Sequence, residues 1–143
     1  MGSRSSTELL QLSVRLHGIR LGQPVDLLLD RAGRRAVGLV VRCGDETERF
    51  LAYAAAEPGA EEIAVESALL LLEDVAFYRA RARSLRSLLG AEAVRGSRAL
   101  GAVRDVLLAP DGSVEALVVE RSGRQRRVAP DGVTLDGARA PAA

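Results

Sequence analysis

Between Leu100 and Glu120 the chain reads LGAVRDVLLAPDGSVEALVVE. Two apolar runs of strand length flank Ala109-Pro110-Asp111-Gly112-Ser113. This phrase constrains the fold more than any other. Proline at Pro110 presets φ at the first corner, Asp111 suits the bridge region, and Gly112 supplies the left-handed residue that closes a type I turn with a bulge. The flanking runs must then pair antiparallel. In strict alternation Val103 and Leu107 face one side and Val106 and Leu108 the other, so both faces of the hairpin carry apolar side chains and both need cover.

The rest of the chain has the same grain. From Val14 onward short apolar stretches alternate with turns rich in Gly, Pro and Asp. VRLHGIRLG and GQPVDLLLD come first, then AVGLVVRC, ERFLAYAA and IAVESALLLLE. Strands of this length at this spacing predict an all-β sandwich or small barrel rather than alternating α and β. With only two Phe, two Tyr and no Trp, the core must be built from Val, Leu, Ile and Ala.

The second half repeats the order of the first. SLRSLLGAEAV parallels RLHGIRLGQPV, setting Gly90 against Gly22 and Val94 against Val25. ALGAVRDVLL parallels AVGLVVRC, setting Gly101 against Gly38, and two further segments follow in step. This order predicts an internal duplication. Gly38 and Gly101 lie inside apolar runs, where glycine marks a bulge or a sharp bend. The expected organisation is a flexible terminus over residues 1–13 and a first barrel over 14–74. A linker over 75–84, with room for one helical turn, then leads to a second barrel over 85–137 and a disordered tail over 138–143. The segment Glu73–Ser87 is ambiguous: as a helix it puts Arg79, Arg83 and Arg86 on one face, and as a strand it alternates Arg79, Arg81 and Arg83 with Tyr78, Ala80 and Ala82.

The second half resembles a known family. Leu89-Gly90, the run from Gly101 to Leu107, the Pro-Asp-Gly turn, the strand Ala116 to Val119 and the closing Val128 and Pro130 are similar to the PRC-barrel. That small β-barrel occurs in the cytoplasmic part of the reaction-centre H subunit and in the ribosome maturation factor RimM. The first half matches more loosely, through Gly22, Val25 and Gly38. The resemblance implies two barrels in tandem and a non-catalytic adaptor, assembly or regulatory role, with no cofactor.

Charge adds a second expectation. Every one of the 20 basic residues is Arg. Residues 1–74 carry 8 Arg against 12 acids and residues 75–143 carry 12 Arg against 7 acids, so the halves differ in sign. Arg121, Arg124, Arg126 and Arg127 surround a Ser-Gly turn, a tip able to grip phosphates. An RNA or ribosome contact of RimM-like type is therefore the alternative to a protein partner. No aromatic residue stands beside the tip for base stacking. Exposed edge strands of a small barrel also invite a homodimer.

Reactive groups are sparse. One Cys (Cys43) and one His (His17) exclude an internal disulfide and a Cys/His zinc site within one chain. A packed thiol and a surface imidazole are the expected roles of this pair. The acids Asp45, Glu46 and Glu48, and Glu57, Glu61 and Glu62, fall in loops with no ordered calcium-loop spacing. No phosphate loop, nucleophile elbow or HExxH is present. The expectation is therefore no catalytic residue and no metal. Met1-Gly2 with Ser6 fits the loose myristoylation pattern, but nothing else points to a lipid anchor. No apolar run is long enough for a signal peptide or a bilayer span, so a cytoplasmic location without membrane insertion is expected.

Overall fold

A computed structural model describes residues 3–135. The chain is all-β and barrel-like, built from two curled sheets. The first half supplies β1 (Arg4–Ser5), α1 (Ser6–Leu9), β2 (Ser13–Leu16), β3 (Ile19–Leu29), β4 (Ala36–Cys43) and β5 (Glu48–Ala52). Short pieces follow: β6 (Glu57–Pro58), β7 (Glu62–Ala64) and β8 (Leu71–Leu72), with one 3-10 turn before β6 and another before β8. The connection holds α2 (Val75–Arg79), β9 (Arg83–Ser84) and α3 (Leu85–Leu88). The second half supplies β10 (Glu92–Arg95), β11 (Arg98–Leu108), β12 (Val114–Arg121), β13 (Arg124–Val128) and β14 (Val133–Thr134). The tail expected over 138–143 lies outside the described residues. Among the described residues, no helix is long and apolar enough to cross a membrane.

The first sheet runs β6-β7-β2-β3-β4-β5-β8 and the second runs β13-β12-β11-β10-β14. Both centre on an eleven-residue strand, β3 or β11, which bends so that it pairs with one neighbour at its start and another at its end. Glycine permits each bend. Gly22 pairs with Val14 just before a register shift, and Gly101 pairs with Ala93 just before the same kind of shift. A Cβ on Gly22 would lie 2.5 Å from the Arg42 carbonyl oxygen, and one on Gly101 2.6 Å from that of Glu120. The two strands thus come closer at these points than any side chain permits. Structurally, then, Gly101 stands where Gly22 stands, rather than where Gly38 does. Aligning the halves by their apolar runs misses this, because it sets β11 against β4, one strand out of phase, where the structure matches β11 with β3. Gly38 has a different role: it leaves room for the Phe50 ring.

Bulges also settle which side chains face inward. Val103, Val106 and Leu108 all join the main core, whereas Leu107 faces away from it. Strict alternation places Val103 with Leu107. The register shift between Val103 and Asp105 reverses that, because one unpaired residue turns the strand over. The Pro-Asp-Gly turn closes with Gly112 at φ 91° and its N–H donating to the Ala109 carbonyl at 2.9 Å. Asp111 accepts from the Ser113 hydroxyl at 2.7 Å and its N–H at 2.9 Å, which holds its carboxyl below the usual carboxylate range.

The two sheets are sewn together by an exchange of short segments. β1, from the front of the chain, pairs with the end of β11, setting Arg4 against Leu108 and Ser5 against Leu107. β9, which leads into the second half, pairs with the end of β3, setting Ser84 against Leu28 and Arg83 against Leu29. Residues 4–13, expected to be flexible, are therefore structured from Arg4 onward. The hairpin turns meet as well: the Ala36 N–H donates to the Gly112 carbonyl and the Val114 N–H to the Arg34 carbonyl, each at 2.8 Å. One apolar core runs through both sheets, from Leu9, Leu27 and Leu39 to Leu88, Val106 and Leu117.

A smaller cluster covers the outer face of the first sheet. Leu28, Val40 and Phe50 pack there against Tyr78 of α2, whose ring stacks on Phe50 at 3.8 Å. This contact explains why the ambiguous segment after Glu73 begins as a helix: a helical turn brings Tyr78 over Phe50 before the chain extends into β9.

Ser6 is the one buried side chain whose polar atom lacks a partner among the described residues. It follows β1 as Leu85 follows β9, and both are fully buried. An orphaned hydroxyl at a core position is destabilising. Ser6→Ala should therefore raise stability by about 1 kcal/mol. A higher midpoint in urea denaturation checks this, and a lower one would show that the hydroxyl is satisfied.

A candidate interaction surface on a basic edge strand

β13 ends the order of the second sheet, and among the described residues only β12 pairs with it. The hairpin between them turns on Ser122 and Gly123, with φ 55° and 78°, the positive values a two-residue type I′ turn demands. Register then fixes the arginines. Arg124 lies opposite Arg121, Arg126 opposite Val119 and Arg127 opposite Val118. Successive strand residues point to opposite faces, so Arg124 and Arg126 project on one side and Arg127 on the other. All three are exposed.

These arginines differ in what holds them. Arg121 donates to the Ala99 carbonyl at 2.5 Å, which ties it to the start of β11. Among the described residues Arg124, Arg126 and Arg127 make no ion pair. The nearest acid on the hairpin, Glu120, is already engaged. It accepts from Arg104 at 2.9 Å, and this bond holds its carboxyl below the usual range. Three free cations therefore line a strand whose outward edge also offers unpaired backbone groups.

The equivalent edge of the first sheet is occupied. There β8 lies against β5, pairing Leu72 with Phe50 and Leu71 with Leu51. In the first sheet Phe50 faces Val40 and Leu51 faces Leu39. In the second, Arg127 faces Val118 and Val128 faces Leu117. Arg127–Val128 thus stands where Phe50–Leu51 stands, but without a counterpart of β8 among the described residues.

The remaining candidates are spread apart. His17 sits in the β2–β3 turn at φ 51°, beside Gly18 at φ 82°. Cys43 ends β4, opposite Gly22, and burial pushes its thiol pKa up. No hydrogen bond joins Cys43 to His17 among the described residues. Of the six acids expected in loops, Glu48, Glu57 and Glu62 lie in β5, β6 and β7, and three are paired with arginines: Asp45 with Arg49 at 3.4 Å, Glu48 with Arg42 at 3.4 Å, and Glu62 with Arg15 at 3.9 Å. Among the described residues no group of three or more His, Cys, Asp or Glu could hold a metal ion. Gly90, at φ 90°, follows α3 and donates its N–H to the Val103 carbonyl at 2.7 Å, a structural role. Arg79, Arg83 and Arg86 go separate ways, to Asp26, the Leu135 carbonyl and the Val25 carbonyl.

Two carboxylates carry more of the architecture than the sequence reading assigned them. Asp26, 2% exposed, accepts from the Ser84 hydroxyl, the Arg86 N–H at 3.1 Å and the Leu27 N–H at 2.9 Å, with Arg79 at 3.5 Å. Asp105 accepts from the Ser5 hydroxyl, the Thr7 N–H at 3.1 Å and the Val106 N–H at 2.8 Å. Each sits on a long strand and caps the short helix arriving from the other half. A sequence signal exists: Arg4-Ser5 precedes Leu9-Leu10 as Arg83-Ser84 precedes Leu88-Leu89.

No family model matches the chain, and no curated protein is similar to it.

Proposed function

We propose that this chain is a non-catalytic interaction module, a PRC-barrel-like adaptor or regulatory element of a larger intracellular assembly. The observation that carries the reading is β13, an edge strand with three exposed arginines and no ion pair among the described residues. A surface of one sign beside open backbone groups steers and seats a complementary partner. The similar construction of the two halves, with their matching bulges and exchanged segments, supports a duplicated barrel-like unit as its origin.

The same arginines support a second reading, contact with RNA or a ribosomal particle through phosphates. All four aromatic residues lie at or before Tyr78, away from this hairpin in sequence, so such contact would rest on backbone charge alone. Affinity capture from the native host, with nuclease treatment and a salt series, separates the two. The module reading expects a protein that survives nuclease and moderate salt and is lost with Arg124→Glu/Arg126→Glu/Arg127→Glu. Capture that vanishes with nuclease and falls steeply with salt would favour the RNA reading.

A further inference from the structure

We propose that the open edge of β13 takes up an extended acidic segment of a partner protein as an added antiparallel strand. The inference rests on the reading of the chain as a docking module and names what docks. Three observations carry it. The outward edge of β13 has no strand neighbour among the described residues, so alternate N–H and C=O groups of Arg124 to Val128 are left without a ladder partner there. The matching edge of the other sheet already holds an antiparallel strand, β8, so this curled architecture accepts a strand there. The side chains on β13 then select the sequence of the guest.

Selection works by charge on both faces. Arg124 and Arg126 project on one side and Arg127 on the other, so a guest strand meets cations whichever way its side chains alternate. A second copy of β13 would bring arginine against arginine, which disfavours self-pairing through this edge. An acidic strand satisfies the same guanidiniums and adds main-chain hydrogen bonds that RNA cannot reproduce. An apolar residue opposite Val128 corresponds to Leu71 of β8, which is buried in the main core. The favoured guest is therefore an extended segment of acids with an aliphatic residue near one end.

Fluorescence anisotropy with the full chain tests the idea. The probes are a labelled peptide of alternating Glu and Val, the same peptide N-methylated on every amide so that neither edge can donate, and an oligouridylate of equal charge. Peptide binding should be weakened at least ~tenfold by Arg126→Glu/Arg127→Glu. The charge-matched variant Arg20→Glu/Arg31→Glu should leave it within about twofold. N-methylation preserves charge but removes the edge hydrogen bonds, so it should also cost at least ~tenfold. Equal binding of the N-methylated peptide, tighter binding of the oligouridylate, or no binding of the parent peptide would each overturn strand addition. A nuclease-resistant protein captured equally well by wild type and by Arg126→Glu/Arg127→Glu would remove this edge while leaving the module reading in place.

Discussion

Replacing Asp26 by alanine should destabilise the protein by about 3–5 kcal/mol, enough to leave little folded chain at physiological temperature. The cost follows from what the carboxylate holds. Its oxygens accept from the Ser84 hydroxyl and from the N–H groups of Leu27 and Arg86. Removing them orphans donors at a site only 2% exposed. The loss is also architectural, because Ser84 and Arg86 belong to the segment that crosses from the other half to pair with β3. Urea denaturation of Asp26→Ala, Ser84→Ala and the double variant gives the coupling, expected at about 1–3 kcal/mol. Asp105→Ala should cost less, since Asp105 is only half-buried while making the corresponding bonds to Ser5 and Thr7. A cost for Asp26→Ala below that of Asp105→Ala would show that the crossing segment is held by its apolar residues alone.

The second large effect is expected at Gly101. Its φ of 129° lies where side chains are strained, and an added Cβ would sit 2.6 Å from the Glu120 carbonyl oxygen. The atoms it would meet are the Glu120 carbonyl and the Arg121 Cβ of β12, none of them the far end of a flexible side chain. Gly101→Ala should therefore cost about 3 kcal/mol or more, combining strain with the separation of β11 from β12. Gly90→Ala is the internal control. Gly90 has φ 90° but nothing within 4 Å of its would-be Cβ, so only conformational strain of about 1 kcal/mol applies. Denaturation midpoints of the two variants, measured side by side, isolate the close approach. If both lose the same amount, the contact with Glu120 relaxes and the bend does not depend on it.

These sites show what a one-dimensional reading can reach. The all-β class was legible because alternation over long runs such as Val114 to Arg121 reports a pleated, half-buried strand. The turns were legible because Pro110, Asp111 and Gly112 each have a local backbone reason to be there. Nothing local marks Arg4–Ser5 or Arg83–Ser84 as strands, since two residues carry no period. Their pairing depends on partners far away in sequence, Leu107–Leu108 and Leu28–Leu29. Asp26 was equally hidden. Among Val25 and Leu27 to Leu29 it looks like an outward-facing acid, and only the arriving segment makes it a cap. The arginines of the β12–β13 hairpin were visible as a cluster. That β13 is an edge strand, while β5 is covered by β8, required the sheet order.

The exchange of β1 and β9 has a consequence for synthesis on the ribosome. The emerging chain can close β3 against β4 early, yet the end of β3 remains without its last neighbour until Ser84 has left the exit tunnel. Meanwhile β1 must wait for Leu107 and Leu108, which are made well after it. Its two halves therefore cannot mature one after the other as beads on a string. Both halves are completed together, and a polypeptide stopped short of β11 would display Leu9 and Ser5 with nowhere to lodge.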